Sequence, residues 1–229
     1  MFMFTALTPF ILAAFVLSMW AQFRVKGNFE KWSRVPAYSG ITGAQAARRI
    51  LDDNGLYHVR VEPIGGTLSD HFDPTSNVVR LSEDVYFGNS IASISIASHE
   101  VGHAIQHKER YSMLTLRHHM VPVVNFASSF APLLLMGGFF FKLSGLILIG
   151  ILFFLGAVLF QVVTLPVEFN ASSRAKRLMA AEGMITQEEK YGVDKMLGAA
   201  ALTYVAATLM ALLQLFEYIW IFFGTRRDE

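Results

Sequence analysis

From Met120 to Leu165 the chain carries one formal charge, Lys142. No other feature limits its fold so strongly. A membrane-spanning helix needs about 20 consecutive apolar residues, and this stretch is roughly twice that. It is expected to form a helical hairpin that turns between Gly137 and Gly145. Two further stretches are long and apolar enough to span. Phe2 to Phe23 has only Thr5, Thr8, Ser18 and Gln22 as polar interruptions, and Arg24, Lys26, Lys31 and Arg34 follow it. Leu197 to Gly224 is broken by Glu217 and a few small polar residues. The first stretch has no positive charge ahead of it, unlike a cleaved signal peptide, and reads as an anchor.

The expected organisation follows. Residues 1–23 are an N-terminal anchor, 24–119 a catalytic region, and 120–165 the hairpin. Residues 166–196 form a further helical segment, and 197–224 the last span. Composition agrees: 53% of the residues are hydrophobic against 16% charged, and 20 are phenylalanine. That is too apolar for an ordinary soluble enzyme. The lipid bilayer is thus the first expected partner. A net charge of +1 gives no support for nucleic-acid binding. The absence of cysteine excludes disulfides and thiolate metal sites.

Two spans separate Arg24–His119 from Val167–Met196, so these segments share one side of the membrane. Arg48, Arg49 and Arg117 in the first, with Arg174, Lys176 and Arg177 in the second, place that side in the cytoplasm. Arg226 and Arg227 at the exit of the last span run against this orientation. The expected location is a multi-pass protein of the plasma membrane.

Between the spans, "GITGAQAARRILDDNGL" predicts a helix. Thr42 and Gln45 can form a capping box, and Gly55 suits the left-handed position beyond the end. Ala44, Ala47, Ile50 and Leu51 mark its apolar stripe. "YHVRVEPI" alternates as a strand does, "TLSDHFDPTSN" reads as loop, and "VVRLS" is a second short strand. Asn89 or Ser90 then caps a helix running through "SIASHEVGHAIQHKE".

That helix raises the chemical question. Residues four apart stand about 6 Å apart along the axis on nearly one face, so His99 and His103 can offer two imidazoles to one cation. Glu100 lies about 100° round from His99, where it flanks the metal as a base instead of binding it. His107 is about 12 Å along the axis from His99, too far for zinc–nitrogen bonds of about 2 Å. A third ligand has to come from elsewhere. His118 and His119 stand at the membrane entrance. Asp70, His71 and Asp73 lie in the loop before "VVRLS". Glu168 follows Pro166, which marks the end of a span, and leads into a helical stretch from Asn170 to Met179 on the same side as the motif. Glu168 is the favoured ligand, the cation being Zn2+.

The rest of "LSDHFDP" admits two uses. His71 or Asp73 can reach a cleft to bind substrate, or Asp73-Pro74 starts a bend that Asp70 caps, which is the plainer reading. A group that stabilises an oxyanion is also required, with Arg174, His71 and Tyr204 as candidates. The strand Val78–Leu81 can offer its edge to an extended peptide.

"LSDHFDP", "VRLSEDVY", "ASHEVGHAIQH", "TLPVEFNASSRA" and "AAALTYVAATLMALLQLF" together resemble the YugP-like membrane zinc metallopeptidases, neutral zinc metallopeptidases of the His-Glu-x-x-His…Glu type. The resemblance runs over most of the chain. It implies zinc ligands His99, His103 and Glu168, with Glu100 as base. More widely the chain is similar to membrane proteases that place the glutamate in a Glu-x-x-Ala-Asp context. Here Ser172 stands where they have aspartate, so the part that aspartate plays in orienting a ligand is missing or moved.

The expected fold is therefore α+β: a mostly helical integral membrane protein with about four transmembrane helices and a small zincin-like α+β catalytic domain. The expected activity is zinc-dependent endopeptidase action on membrane or membrane-proximal proteins. Two rivals compete with it. A non-catalytic zinc-binding scaffold or chaperone would ordinarily close its metal with four protein ligands, and here only three are convincing. A metal transporter using His118, His119 and Glu217 would place more ionisable groups in mid-span.

Overall fold

The structure is a computed structural model, and residues 5–225 of it are described. The chain order is α1 (Thr8–Trp32), α2 (Gly43–Asp53), β1 (Arg60–Ile64), β2 (His71–Asp73), β3 (Val78–Ser82), α3 (Glu83–Tyr86), α4 (Ile91–Lys108), α5 (Ser112–Phe141), α6 (Ser144–Ala181) and α7 (Lys190–Thr225). Helices α1, α5, α6 and α7 are each long and apolar enough to cross a membrane. The α+β, mostly helical expectation holds. The start of the expected first span, residues 1–4, and Arg226 and Arg227 lie outside the described residues.

The chain divides into two compact units. One holds residues 115–166 together with the stretches up to Ala21 and from Thr203. Its buried cluster is small and aliphatic: Leu135, Ile147, Ile151, Val158 and Leu215. Large apolar side chains such as Phe10, Val16, Leu133 and Phe140 stay exposed, as lipid-facing residues do. The hairpin turns within the expected window: α5 stops at Phe141, and Lys142 takes a left-handed φ of 54°. Glu217 finds partners in this unit, accepting hydrogen bonds from Thr5 Oγ1 at 2.9 Å and Thr8 Oγ1 at 3.3 Å. A carboxylate in an apolar span needs such donors.

The second unit holds residues 22–114 and 167–202. Helix α2 starts as its sequence predicts, with both hydrogen bonds of the Thr42–Gln45 capping box formed, and Gly55 sits at φ 65°. Its buried face is Gly43, Ala46, Ala47, Ile50 and Leu51, so Ala46 replaces Ala44 in the stripe. The sheet has the order β1-β3-β2, with β1 parallel and β2 antiparallel to β3. Its centre is Val78–Ser82, buried on both faces apart from Arg80. This corrects two expectations. The stretch "HFD" is a strand, because its backbone completes the ladder on the free side of β3. And β3 offers no open edge to a peptide from Val78 to Arg80, where β1 and β2 flank it on both sides.

Pro166 lies inside α6 and does not end it. The helix continues through it from Ser144 to Ala181, because proline removes one backbone donor without preventing helical φ. The core of the second unit is built around α4. Ile94, Ala97, Val101 and Ile105 of that helix pack with Ile50 and Leu51 of α2, Val79 and Leu81 of β3, and Ala175 and Met179 of α6.

Candidate metal centre

Helix α4 begins where Ser90, in extended backbone, accepts a hydrogen bond from the Ser93 N–H at 3.1 Å. This satisfies one of the free donors of the first turn. From Ile91 to Gln106 every residue is buried except His99 and His103, which are partly exposed. The two imidazoles are therefore the accessible edge of an otherwise enclosed helix.

Gly102 stands between them in sequence and sets how near α6 can come. A Cβ there would meet the Ala171 carbonyl oxygen at 2.8 Å and Ala171 Cα at 3.2 Å. Glycine and alanine let the two backbones nearly touch. That approach places Glu168, about one turn before Ala171, opposite the imidazoles.

The donor atoms converge tightly. His99 Nε2 and His103 Nε2 are 3.2 Å apart. Glu168 Oε2 is 3.3 Å from the first and 3.5 Å from the second. Four-coordinate zinc with bonds of about 2.0–2.1 Å holds its ligand atoms about 3.3–3.4 Å apart, so the trio has the edges of one face of that tetrahedron. Nitrogen and carboxylate donors suit zinc, and three protein ligands leave a position open. The residues fit the ion. Among the described residues this is the group that could hold a metal.

The surroundings orient each ligand. Ser172 Oγ lies 3.2 Å from His99 Nδ1, within reach to hold that ring. Gln106 Oε1 lies 3.0 Å from His103 Nδ1. Burial disfavours charge on His103, but hydrogen bonding to Glu168 and the charges of Glu100 and Glu168 outweigh it and raise its pKa. Glu100 is itself buried, 9% exposed, and its charge is felt both at His103 and at Asp70.

Other residues singled out in the sequence are placed as follows. His107 sits one turn on, its ring against Phe72 at 5.8 Å, outside the donor trio. His71 faces the Ser69 carbonyl oxygen through Nδ1 at 2.8 Å and Arg80 through Nε2 at 3.4 Å. Asp73 accepts from Thr75 N–H, Ser76 Oγ and Arg80, as a turn-forming aspartate does. Asp70 does not cap that bend; its carboxylate accepts from Ser82 N–H at 2.7 Å and from Ser82 Oγ. Arg174 is held by Asn170 Oδ1 at 2.7 Å and Glu109 Oε2 at 2.6 Å. Tyr204, His118 and His119 belong to the apolar unit, and His119 Nδ1 lies 2.8 Å from the Thr115 carbonyl oxygen.

Gln106, Asn170 and Gly102 were not picked out from the sequence. A signal existed for Gln106: it is three residues past His103, the spacing that puts two side chains on one helix face. For Asn170 and Gly102 there was none, since their importance depends on a helix 60 or more residues away.

Comparison with known proteins bears on the same features. A family described as "putative neutral zinc metallopeptidase" matches residues 7–223. The chain is 61% identical over 218 residues to the "Putative membrane protease YugP" of Bacillus subtilis (strain 168), covering 95% of this chain and 97% of that protein. No solved structure matches. Four helices fit to cross a membrane, a donor trio fit for zinc and a match over nearly the whole length agree: the chain belongs to the family described as putative neutral zinc metallopeptidases.

Proposed function

We propose that this chain is a membrane-embedded zinc endopeptidase, with His99, His103 and Glu168 as ligands and Glu100 as general base. The observation that carries the reading is the convergence of three metal-binding atoms within 3.5 Å of one another beside a buried glutamate. A zinc ion held there supplies Lewis acidity, lowering the pKa of water toward about 7 and polarising a carbonyl. Glu100 follows His99 directly and is turned about 100° from it on the helix, so it would stand beside a zinc ion held by the trio as its base and not as a ligand. It takes the proton from the attacking water. It then gives that proton to the amine nitrogen as the peptide bond breaks.

Peptides of membrane or membrane-proximal proteins are the substrates this reading favours. Glu168 follows the apolar stretch of α6 within the same helix, so the ligand set is chained directly to a span. The basic residues Arg48, Arg49, Arg174, Lys176 and Arg177 support a cytoplasmic catalytic side of the plasma membrane. Of the oxyanion candidates in this unit, Arg174 is held by Asn170 and Glu109 and His71 by Ser69 and Arg80, so either would have to leave a partner to serve.

The test is the Glu100→Gln variant of the detergent-solubilised full chain, assayed for zinc content and for cleavage of casein or a membrane protein. Zinc stays near one per chain, and cleavage falls by about 10²–10⁴-fold, the usual weight of general-base catalysis. Cleavage at the parent rate would refute Glu100 as base. Zinc binding without cleavage by the parent would support a binding role instead.

A further inference from the structure

One buried side chain is not used by the reaction just described. Gln106 is fully buried and makes three hydrogen bonds. Its amide nitrogen donates to the Val167 carbonyl oxygen at 2.8 Å and to Asn170 Oδ1 at 2.9 Å. Its amide oxygen meets His103 Nδ1 at 3.0 Å. The orientation of this amide follows from chemistry. A backbone carbonyl can only accept, so the NH2 end must face Val167 and the oxygen must face His103. Asn170 is oriented in the same way, since its Oδ1 also accepts from Arg174 Nε at 2.7 Å. Arg174 in turn is held by Glu109 Oε2 at 2.6 Å. No member of this chain can be reversed without setting donor against donor or acceptor against acceptor.

The consequence falls on His103. An oxygen facing Nδ1 requires that nitrogen to carry the hydrogen, and neutral imidazole has only one. Nε2 is then left with its lone pair, 3.5 Å from Glu168 Oε2 and 3.2 Å from His99 Nε2. The same amide holds the carbonyl of Val167, the residue next to Glu168. From this geometry we infer that Gln106 is a positioning residue which fixes His103 as the Nδ1–H tautomer and couples it to the stretch of α6 that carries Glu168. This rests on the zinc reading above and deepens it. In zinc sites such a partner is often a carboxylate or a backbone carbonyl. Here a neutral amide serves, its oxygen accepting from the imidazole while its nitrogen donates to the opposing helix.

The experiment measures zinc affinity by competition with a chromophoric chelator, on the detergent-solubilised full chain. The parent must bind zinc; failure there would end the zinc reading itself, independently of Gln106. Gln106→Met removes the acceptor, and affinity should fall about 10–100-fold, as for other lost partners of metal-bound histidines. Gln106→Glu keeps an acceptor for His103 but cannot donate to Val167. Its affinity should return to within about threefold of the parent or exceed it, because a carboxylate raises the basicity of the ligand. If Gln106→Glu binds as weakly as Gln106→Met, the side chain acts only as a strut between helices, and the tautomer assignment is overturned. Affinity of Gln106→Met equal to that of the parent would overturn the proposal as well. A measurement independent of variant folding is ¹⁵N NMR of the imidazoles in the zinc-loaded parent, where His103 is neutral. It should show Nδ1–H for His103, and Nε2–H would refute the inference.

Discussion

The second unit contains two constellations of histidine and carboxylate, and they are opposites. In the β2–β3 turn, Asp73 and His71 meet Arg80, Ser76, Thr75 and Ser69, no contact spanning more than nine positions. Asp73 is only partly exposed and is held well below the usual carboxylate range, by Ser76 first and Arg80 second. Every acceptor there has a donor. In the other, His99, His103 and Glu168 come from two helices, are nearly buried, and bring two imidazole nitrogens and a carboxylate oxygen to one spot. The local cluster satisfies itself, whereas the distant one is balanced best by a cation. Residue types alone do not distinguish them; the source of the compensating charge does.

The largest expected effect breaks the second cluster. Glu168→Gln removes a charged ligand, and zinc affinity should fall by more than the roughly 100-fold upper range for losing a ligand's hydrogen-bond partner. A zinc titration checks this, and an unchanged affinity would send the search for the third ligand back to His71 or Asp73. Next is Gly102→Ala. The added methyl meets Ala171 backbone at 2.8 Å, and forced overpacking costs about 1–3 kcal/mol. Both the unfolding temperature of the metal-free chain and zinc affinity should drop, because α4 and α6 must part.

A pH series sharpens the same contrast. The raised pKa of His103 in the folded, metal-free chain stabilises it fully below the unfolded value of about 6.5. That contribution is lost as pH rises through the raised folded pKa. Zinc, which needs neutral His103, acts in the opposite sense. The gain in unfolding temperature on adding zinc should therefore be larger at pH 8 than at pH 6, by calorimetry or fluorescence. The smallest effect belongs to the first cluster: Asp73→Asn should leave zinc affinity within about twofold, as distant sites usually do. A larger loss would show that the β2–β3 turn is part of the site.

Several features were legible in order along the chain. The α2 helix was readable from Thr42, Gln45 and Gly55, because capping is a matter of three or four consecutive residues. The hairpin turn was readable because Lys142 is the one charge in a long apolar run. Strand β2 was not, since "HFD" gains strand geometry only from its partner β3. The boundary read at Pro166 falls where the two units divide, but the continuity of the helix there was not legible: local preference disfavours proline within a helix, yet α6 runs on through it.

The sequence by itself determined that this chain has stretches for four spans and a helix with two imidazoles on one face, because hydrophobic length and a spacing of four residues are local properties. Only the tertiary structure decided that Glu168 reaches those imidazoles, that Ser172 stands behind His99, that Gln106 reaches Val167, and that Gly102 lets the helices meet. Those contacts join residues 61 to 73 positions apart. Their existence depends on how closely two backbones pack, which no short stretch of sequence encodes.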